Sequence, residues 1–309
     1  MRVASIDIGT NCVLLLIAEA RGGALVPLLE RATITRLGQG VDKNRRLLPE
    51  ATERTLRCLS EYAGVLGEFA VDRLDAVGTS AMRDAEGGDE FVTRATALLG
   101  RAPRVIDGNE EARLTFAGAL SGLEVEGEVT VFDIGGGSTE IIVGSSTPGV
   151  RRIGTAVSLD IGSVRLFERH LRHDPPTASE MAAVEHDIAE ALRDAPTPKS
   201  GATLVGVAGT ITQLAALELE LDVYDSKRVH GRRITFDTIA RLAARLRTLS
   251  VNERRVLRGM HPDRADVLVA GGAIACAVAQ FAGASELLVS DRGVRWGLAE
   301  QLLLAHPRE

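Results

Sequence analysis

The chain of 309 residues has few of the residues that build disulfide frameworks and metal clusters. Its three cysteines, Cys12, Cys58 and Cys276, lie far apart in the sequence, and no C-x-x-C pair occurs. An odd number of scattered cysteines argues against a disulfide scaffold and against a zinc site. The six histidines form no metal-ligand pattern either. We therefore expect neither of these two classes of protein.

Lysine is equally rare, with only Lys43, Lys199 and Lys227, and acidic residues outnumber basic ones. The net charge of −6 gives the chain no diffuse attraction for polyanions. This balance does not favour wholesale binding to nucleic acid or to an anionic membrane, and we expect neither as a partner. A local basic pocket for a small anion is still compatible with this net charge.

Strongly apolar runs long enough to cross a membrane are also missing. Asp7 interrupts the apolar N-terminal segment, so no secretory leader is predicted. The uncharged stretch Val267–Ala284 is mostly alanine and glycine, which predicts a buried helix rather than a membrane span. With 45% apolar and 25% charged residues, the composition is that of a soluble globular protein large enough for two domains. We expect a cytoplasmic protein.

One pattern occurs twice in this chain. The segments VASIDIGTNCVLLLIAE (Val3–Glu19) and VTVFDIGGGSTEIIVG (Val129–Gly144) align when Asp7 is placed on Asp133. Each is an apolar strand that ends in an acid, then a turn of small residues and a second apolar strand. A third strand and alternating helices and strands follow both copies, which predicts two similar α/β domains. We expect these domains to face each other across a central cleft.

The polar, glycine-rich segment SGLEVEGE (Ser121–Glu128) is the predicted domain boundary. It predicts an N-terminal domain of residues 1–124 and a C-terminal domain of residues 125–309, whose last helix can pack back on the first domain. Helical spacing of apolar residues is present in Pro49–Glu68 and Ala265–Phe281. Asn109 is the predicted N-cap of a further helix.

The two small-residue turns have the features of phosphate-binding loops. Glycine-rich turns expose backbone N–H groups and let an anion approach closely. Carboxylates beside such a loop repel a phosphate unless a hard divalent cation such as Mg²⁺ lies between them. A hairpin turn alone needs no repeated acid. The turn residues are Gly9, Thr10 and Asn11 in the first copy and Gly135, Gly136, Gly137 and Ser138 in the second, with the acids Asp7, Asp133 and Glu140.

Three further segments contain candidate residues. Arg83 follows a predicted strand, where ligands of open α/β sheets gather, although an ordinary polar loop explains it equally well. Gly209 and Thr210 open a helix whose N-terminus suits a phosphate, with close packing as the equal alternative. Glu110 and Glu111 begin another helix, where acids are common because they favourably meet the helix dipole.

The motifs in this chain resemble one family throughout their order and spacing. It is the exopolyphosphatase/guanosine pentaphosphate phosphohydrolase family (Ppx/GppA), within the actin–hexokinase–Hsp70 superfamily. The resemblance extends from Arg2 to about Leu304 and implies two actin-like (ribonuclease H-like) ATPase-type domains. DIGGGSTE alone indicates only the superfamily, whereas GNEEARL and SDRGVRWG are much more specific. The motifs are IDIGTN, GTSAMRDA, GNEEARL, FDIGGGSTE, GVAGT, VHG with PDRADVLVAGG, and VSDRGVRWG.

This resemblance implies a role for each matching residue. Glu111 matches the catalytic glutamate, which positions and deprotonates the attacking water. Asp133 and Glu140 match carboxylates associated with the divalent cation. The phosphate-binding set comprises Asp7, Thr10, Asn11, Cys12, Arg83, Gly135, Gly136, Gly137, Ser138, Gly209 and Thr210.

The implied reaction is metal-assisted hydrolysis of the terminal phosphoanhydride of inorganic polyphosphate, which releases orthophosphate. Guanosine pentaphosphate (pppGpp) is the second candidate substrate, and the residues do not rank the two. Longer members carry a further helical C-terminal region, so this short two-domain form is expected to favour short chains. The family also implies a homodimer.

Two alternatives to this reaction stay open. One is an ATP-dependent small-molecule kinase of the same superfamily, whose ATPases place an adenosine-contacting glycine pair where this chain has LVAGGA (Leu268–Ala273). The other is a non-enzymatic regulator that binds polyphosphate or nucleotide. The chain also departs from the family pattern at three positions, with Cys12 in place of Ser or Thr, Ala208 in place of Gly and Trp296 in place of Glu.

Overall fold

The computed structural model describes residues 1–22 and 24–305. The chain divides into two compact units, one formed by Met1–Gly118 with the segment that starts at Val294, the other by Ala119–Gly293. The domain boundary predicted after residue 124 stays a prediction. Within the described ranges, no helix is both long enough and apolar enough to cross a membrane.

Each unit contains one mixed sheet, and the strands follow the predicted order. The first unit contains β1 (Arg2–Ile8), β2 (Cys12–Arg21), β3 (Ala24–Ile34), β4 (Arg73–Gly78) and β5 (Arg104–Val105). The second contains β6 (Gly127–Ile134), β7 (Thr139–Thr147), β8 (Val150–Leu159), β9 (Thr203–Val207), β10 (Arg233–Thr235) and β11 (Glu286–Val289).

The helices alternate with these strands along the chain. They are α1 (Val41–Asn44), α2 (Pro49–Glu68), α3 (Ser80–Asp84), α4 (Gly88–Leu99), α5 (Gly108–Ala119), α6 (Ser163–His170), α7 (Ala178–Leu192), α8 (Ala208–Glu218), α9 (Ser226–Val229), α10 (Phe236–Thr248), α11 (Val251–Arg255), α12 (Leu268–Phe281) and α13 (Val294–Leu304). A 3₁₀ turn, Pro262–Arg264, precedes α12.

The two sheets share one topology. Their strand orders are β3-β2-β1-β4-β5 and β10-β11-β9-β6-β7-β8. In both, the first strand pairs antiparallel with the second, the second pairs antiparallel with the third, and the next strand joins the first in parallel. The predicted repetition of an α/β unit is therefore confirmed, and the fold class is α/β with two mixed sheets.

The first sheet is covered on both faces, as the side chains of its central strand β1 show. Ala4, Ile6 and Ile8 belong to the core that contains apolar residues of α2 and α4. Val3 points to the other face, since side chains alternate along a strand, and packs with Trp296 of α13. Trp296 is 1% exposed and donates from Nε1 to Glu30 Oε2 at 3.0 Å. This departure from the family pattern is thus a core residue.

Two helix starts differ from the prediction. The helix that contains Glu111 begins at Gly108, and Asp107 Oδ1 accepts from the Glu110 N–H at 2.8 Å, so Asp107 caps it instead of Asn109. The long apolar helix begins at Leu268 instead of Ala265, because the 3₁₀ turn precedes it. It lies buried against α6, α7, α8 and α10, as its lack of charge predicted.

Candidate active site

In the first unit, the predicted residues lie at one edge of the sheet. Strands β1, β4 and β5 run parallel, so their carboxyl ends lie side by side. Asp7 lies near the end of β1, Arg83 lies in α3 just after β4, and Glu111 lies in α5 just after β5. The turn with Thr10 and Asn11 follows β1 directly. The sequence separates the first and last of these residues by more than a hundred positions, and the parallel strands bring them together.

The Gly9–Asn11 turn is held from behind by the segment that follows β3. The Thr10 carbonyl accepts from the Gly38 N–H at 2.9 Å, and the Asn11 carbonyl accepts from two N–H groups, of Thr35 at 3.0 Å and of Arg36 at 2.9 Å. A trans peptide holds its N–H opposite its C=O, so the Asn11 N–H points away from Gly38. The turn thereby presents backbone donors on its outer side.

Two side chains of this turn have buried polar atoms that lack partners. Thr10 and Asn11 are 8% and 6% exposed. Thr10 Oγ1 and both polar atoms of the Asn11 amide make no hydrogen bond within the described part of the chain. A buried polar group without a partner costs about 1–3 kcal/mol, so these atoms indicate a ligand that is not part of the chain. Cys12, which opens β2, is partly exposed beside them and offers only a weak thiol donor.

The residues predicted as catalytic base and phosphate binder form an ion pair. Arg83 Nη1 donates to Glu111 Oε2 at 2.9 Å and to the Ile106 carbonyl at 3.1 Å. The Glu111 side chain is 8% exposed and that of Arg83 26%. Arg83 thus fixes the orientation of the carboxylate while remaining open to solvent.

The neighbouring glutamate has a different environment. Glu110 Oε1 accepts from Arg104 Nη1 at 2.7 Å, and Arg104 also donates to Asp75 at 3.1 Å. Two adjacent acids of α5 therefore have different partners, which the pattern GNEEARL does not reveal. This difference makes Glu110 a matched control for Glu111.

The second unit repeats the arrangement at the carboxyl ends of β6, β9 and β11, which also run parallel. The predicted residues Gly135 to Ser138 follow β6. Gly209 and Thr210 lie in the first turn of α8 and follow β9. Asp133 and Glu140 are register partners across β6 and β7, so their side chains lie on the same face of the sheet.

The triple-glycine turn is fixed by the start of α6. The Gly135 carbonyl accepts from the Ser163 N–H at 3.0 Å, and the Gly136 carbonyl accepts from the next two N–H groups of α6 at 2.9 and 3.0 Å. Arg165 Nε, from a side chain 6% exposed, donates to the Gly137 carbonyl at 2.6 Å. Three consecutive carbonyls therefore face α6, and the following three N–H groups point to the opposite side. Such a row of N–H groups is an anion-binding concavity.

Gly162 allows this close approach, and the sequence prediction missed it. A Cβ at Gly162 would collide with the backbone of Gly136 and Gly137. We expect Gly162→Ala to displace the loop and to lower phosphate release by at least about tenfold, with an overpacking cost of about 1–3 kcal/mol. Initial rates and thermal unfolding measured together test this.

The matched control is Gly64→Ala in α2, where an added Cβ meets nothing within 4 Å. It should keep full activity and raise stability by up to about 1 kcal/mol, because alanine is the better helix former. Equal activity of the Gly162 and Gly64 variants would contradict the conclusion that Gly162 is needed to position the triple-glycine turn.

Glu140 is the more buried of the paired carboxylates, at 1% exposure. Its Oε1 accepts from Ser138 Oγ at 2.8 Å and from Ser158 Oγ at 2.7 Å. In the described part of the chain, no three His, Cys, Asp or Glu residues cluster in a way that could hold a metal. Two carboxylates suffice for Mg²⁺, which takes its remaining ligands from water and substrate phosphate. Asp133 and Glu140 therefore fit a magnesium site in which water and substrate phosphate supply the remaining ligands. They do not fit a site in which the protein supplies all of the ligands.

The turn at the start of α8 contains a strained residue and a close cation. Ala208 has φ +66°, a left-handed conformation in which the family's glycine would be unstrained. A Cβ at Gly209 would collide with the guanidinium of Arg264, which therefore lies on the backbone of this turn. Burial, followed by the charge of Arg264, lowers the pKa of His261. Arg264 lies in the PDRADVL motif but was not among the predicted site residues.

The glycine pair cited for a kinase has a packing role. Gly271 lies against the buried Thr210 of α8, and Gly272 lies against Ala243 of α10. Both positions are within α12, and side chains there would keep the helices apart. The adenosine-contacting role of LVAGGA stays a prediction.

Comparison with known proteins identifies the family. A model of the Ppx/GppA phosphatase family matches residues 16–306. The chain belongs to this family. Exopolyphosphatase 2 of Mycobacterium tuberculosis is 39% identical over 97% of the chain and 98% of that relative. The guanosine-5'-triphosphate,3'-diphosphate pyrophosphatase of Pseudoalteromonas atlantica is 28% identical over 97% of the chain and 58% of that relative.

A solved structure of the Aquifex aeolicus member of the Ppx/GppA family has a TM-score of 0.83 and 36% identity, covering 100% of the chain and 99% of the other. The Ppx/GppA fold expected from the motifs is thereby confirmed. Membership also confirms the expected enzyme class, a phosphoanhydride hydrolase.

Proposed function

We propose that this Ppx/GppA enzyme is an exopolyphosphatase that removes the terminal phosphate of inorganic polyphosphate as orthophosphate, with pppGpp as a second substrate. The observation that carries the proposal is the Glu111–Arg83 pair at the same sheet edge as the Gly9–Asn11 turn. A base, a guanidinium and phosphate-type donors are the groups that hydrolysis of a phosphoanhydride requires. The two named relatives act on a polyphosphate and a guanosine polyphosphate.

In the proposed mechanism, Glu111 accepts the proton of a water molecule that attacks the terminal phosphorus. The P–O bond between the terminal phosphorus and the bridging oxygen breaks, orthophosphate forms, and the shortened polyphosphate leaves with the bridging oxygen and its electron pair. Arg83 donates a hydrogen bond to Glu111 Oε2 and so fixes the orientation of the carboxylate that receives this proton. Backbone donors of the Gly9–Asn11 turn, with Thr10 Oγ1 and the Asn11 amide, bind phosphate oxygens in the first unit. Phosphoryl transfer depends mainly on such positioning and charge stabilisation, so no covalent nucleophile is needed.

The second unit contributes a phosphate loop and the cation carboxylates in this proposal. The N–H groups of Gly136, Gly137 and Ser138 bind anionic oxygens. Asp133 and Glu140 would hold Mg²⁺, which neutralises charge on the phosphoryl group when it is bound. That both loops grip one substrate stays a prediction.

The test is orthophosphate release from tripolyphosphate, longer polyphosphates, pppGpp and ATP, side by side and with Mg²⁺. We expect release from the polyphosphates and pppGpp without any acceptor molecule. Phosphate transfer from ATP that rises with an added metabolite would favour the kinase instead. Polyphosphate binding without release would favour the non-enzymatic regulator.

Short polyphosphates are the proposed preference, and cleavage is proposed to be distributive. A net charge of −6 gives little diffuse attraction to hold a long polyanion between cuts. Early in digestion of a long polyphosphate, the whole population should therefore shorten together on a gel. Full-length chains that persist beside free orthophosphate, with no intermediates, would show a processive enzyme.

A cytoplasmic location and a homodimer also stay predictions. Sedimentation equilibrium of the purified chain tests the second of these. A monomer at micromolar concentration would contradict it.

A further inference from the structure

The support segment is the stretch of residues 35–39 that follows β3 and holds the Gly9–Asn11 turn from behind. The N–H groups of Thr35, Arg36 and Gly38 donate three hydrogen bonds of 2.9 to 3.0 Å to carbonyls of this turn. Each of these carbonyls shares a rigid peptide plane with the N–H group of the next residue. The support segment therefore also sets the direction of the backbone donors that the turn presents.

The support segment fits closely between the turn and the core of the first unit. A Cβ at Gly38 would collide with Thr10 Cγ2. Leu37 is fully buried in the core that contains apolar residues of α2. Arg36 has φ +52°, a left-handed conformation that persists only where the surrounding contacts impose it. A shift of the support segment would therefore move Thr10 and the turn with it.

Arg54 of α2 joins the two ends of the support segment. Its Nε donates to the Thr35 carbonyl at 3.0 Å, and its Nη2 donates to Gln39 Oε1 at 2.9 Å. A guanidinium holds its donors in one rigid plane, so two such hydrogen bonds fix the distance between the two acceptors. Leu59 and Tyr62 of the same helix are buried in the core, so α2 is a firm base for this contact. Arg54 was not among the predicted site residues.

We propose that Arg54 is a positioning residue that keeps the Gly9–Asn11 turn in its phosphate-binding geometry by holding the support segment. The inference rests on the proposed function, since that function assigns this turn to phosphate. The turn contacts phosphate in the bound substrate and in the transition state alike. Loss of such uniform binding raises KM and leaves kcat nearly unchanged, whereas loss of a general base lowers kcat.

Steady-state kinetics with tripolyphosphate test this split in wild type, Arg54→Met and Arg54→Lys. Methionine keeps much of the apolar stem and removes both hydrogen bonds, so KM should rise about 10- to 100-fold, the cost of a small displacement of binding groups. The kcat of Arg54→Met should stay within about threefold of wild type. Lysine keeps the charge but has no planar fork, so its KM should lie between the other two. The Mg²⁺ requirement should not change, because the proposed cation ligands lie in the other unit.

The matched control is Arg94→Met. Arg94 also uses two donors of its guanidinium on α2, at 2.6 and 3.0 Å to the two carboxylate oxygens of Glu53, the neighbour of Arg54. That ion pair is partly exposed and does not contact the support segment, so its loss should leave KM unchanged. An equal rise of KM in Arg94→Met would show a general defect of α2 and overturn the inference. A fall of kcat and of thermal stability in Arg54→Met, with KM unchanged, would overturn it as well.

Hydrogen exchange separates this inference from the proposed function, because it needs no substrate. The N–H groups of residues 35–38 should exchange at least about tenfold faster in Arg54→Met than in wild type, since their hydrogen bonds to the turn open more often. Arg94→Met should exchange as wild type does. Faster exchange in Arg54→Met beside a wild type that releases no phosphate would refute the proposed function and support the positioning of the turn. Unchanged exchange would overturn the positioning, whatever the enzyme hydrolyses.

Arg54→Lys makes the test decisive if Arg54→Met does not fold. Its KM for tripolyphosphate and its exchange over residues 35–38 should both exceed the wild-type values. Wild-type values of both would overturn the role of Arg54.

Discussion

Replacing Glu111 with Gln should lower the rate of phosphate release about 10²- to 10⁴-fold, the loss typical of a positioned general base. Glutamine has the same shape and keeps an oxygen that can accept the 2.9 Å hydrogen bond from Arg83. It cannot take a proton from water. We therefore expect kcat to fall while KM for tripolyphosphate changes little, and steady-state kinetics separate the two.

Glu110→Gln is the matched control, because it lies one position away on the same helix and pairs with Arg104 at 2.7 Å. That ion pair is partly exposed, and pairs of this kind contribute about 0–1 kcal/mol. Activity should therefore stay near wild type. Near-normal turnover of Glu111→Gln would contradict the role of Glu111 as general base. Glu111 would then be an acidic residue of the first helical turn, and its ion pair with Arg83 would be a structural contact.

Asp133→Asn and Glu140→Gln should each raise the Mg²⁺ concentration for half-maximal activity by at least about tenfold. Each change removes a hard anionic oxygen from the face of the β6–β7 hairpin where the two side chains are register partners. Glutamine at position 140 can still accept from Ser138 and Ser158, so the fold should survive. Mg²⁺ titrations at saturating tripolyphosphate measure the effect.

Ser158→Ala is the control for Glu140. It removes one hydroxyl that orients the carboxylate, at 2.7 Å, but leaves the charge in place. Its effect on the Mg²⁺ requirement should be smaller than that of Glu140→Gln. A carboxylate variant with slow turnover and an unchanged Mg²⁺ requirement would remove that residue from the cation role.

Several parts of the fold were predictable because their signals are local. Helix α2 runs over Pro49–Glu68 as predicted, because a proline suits the first turn and apolar residues recur at helical spacing. The repeated hairpin was predictable because apolar runs around Asp7 and Asp133 have strand-like composition and small-residue turns. The short strand β10 (Arg233–Thr235) was missed, because three residues carry too little pattern to detect.

Part of the candidate site could not be predicted, because its contacts join segments that are distant in sequence. No local pattern indicates that Arg264 lies on Gly209, or that Gly162 must be small to let α6 reach the triple-glycine turn. The signal at Gly162 is only a small residue before a helix.

By itself, the sequence determined the duplicated α/β fold, the glycine-rich turns and the acids beside them, because these depend on the order and type of neighbouring residues. Only the tertiary structure decided which of these residues are in contact with each other. Parallel strands bring Arg83 to Glu111, whereas Glu110 and Trp296 have structural contacts. The physical reason is that an ion pair or a steric collision depends on the distance between two residues in space. The order of residues along the chain does not specify that distance.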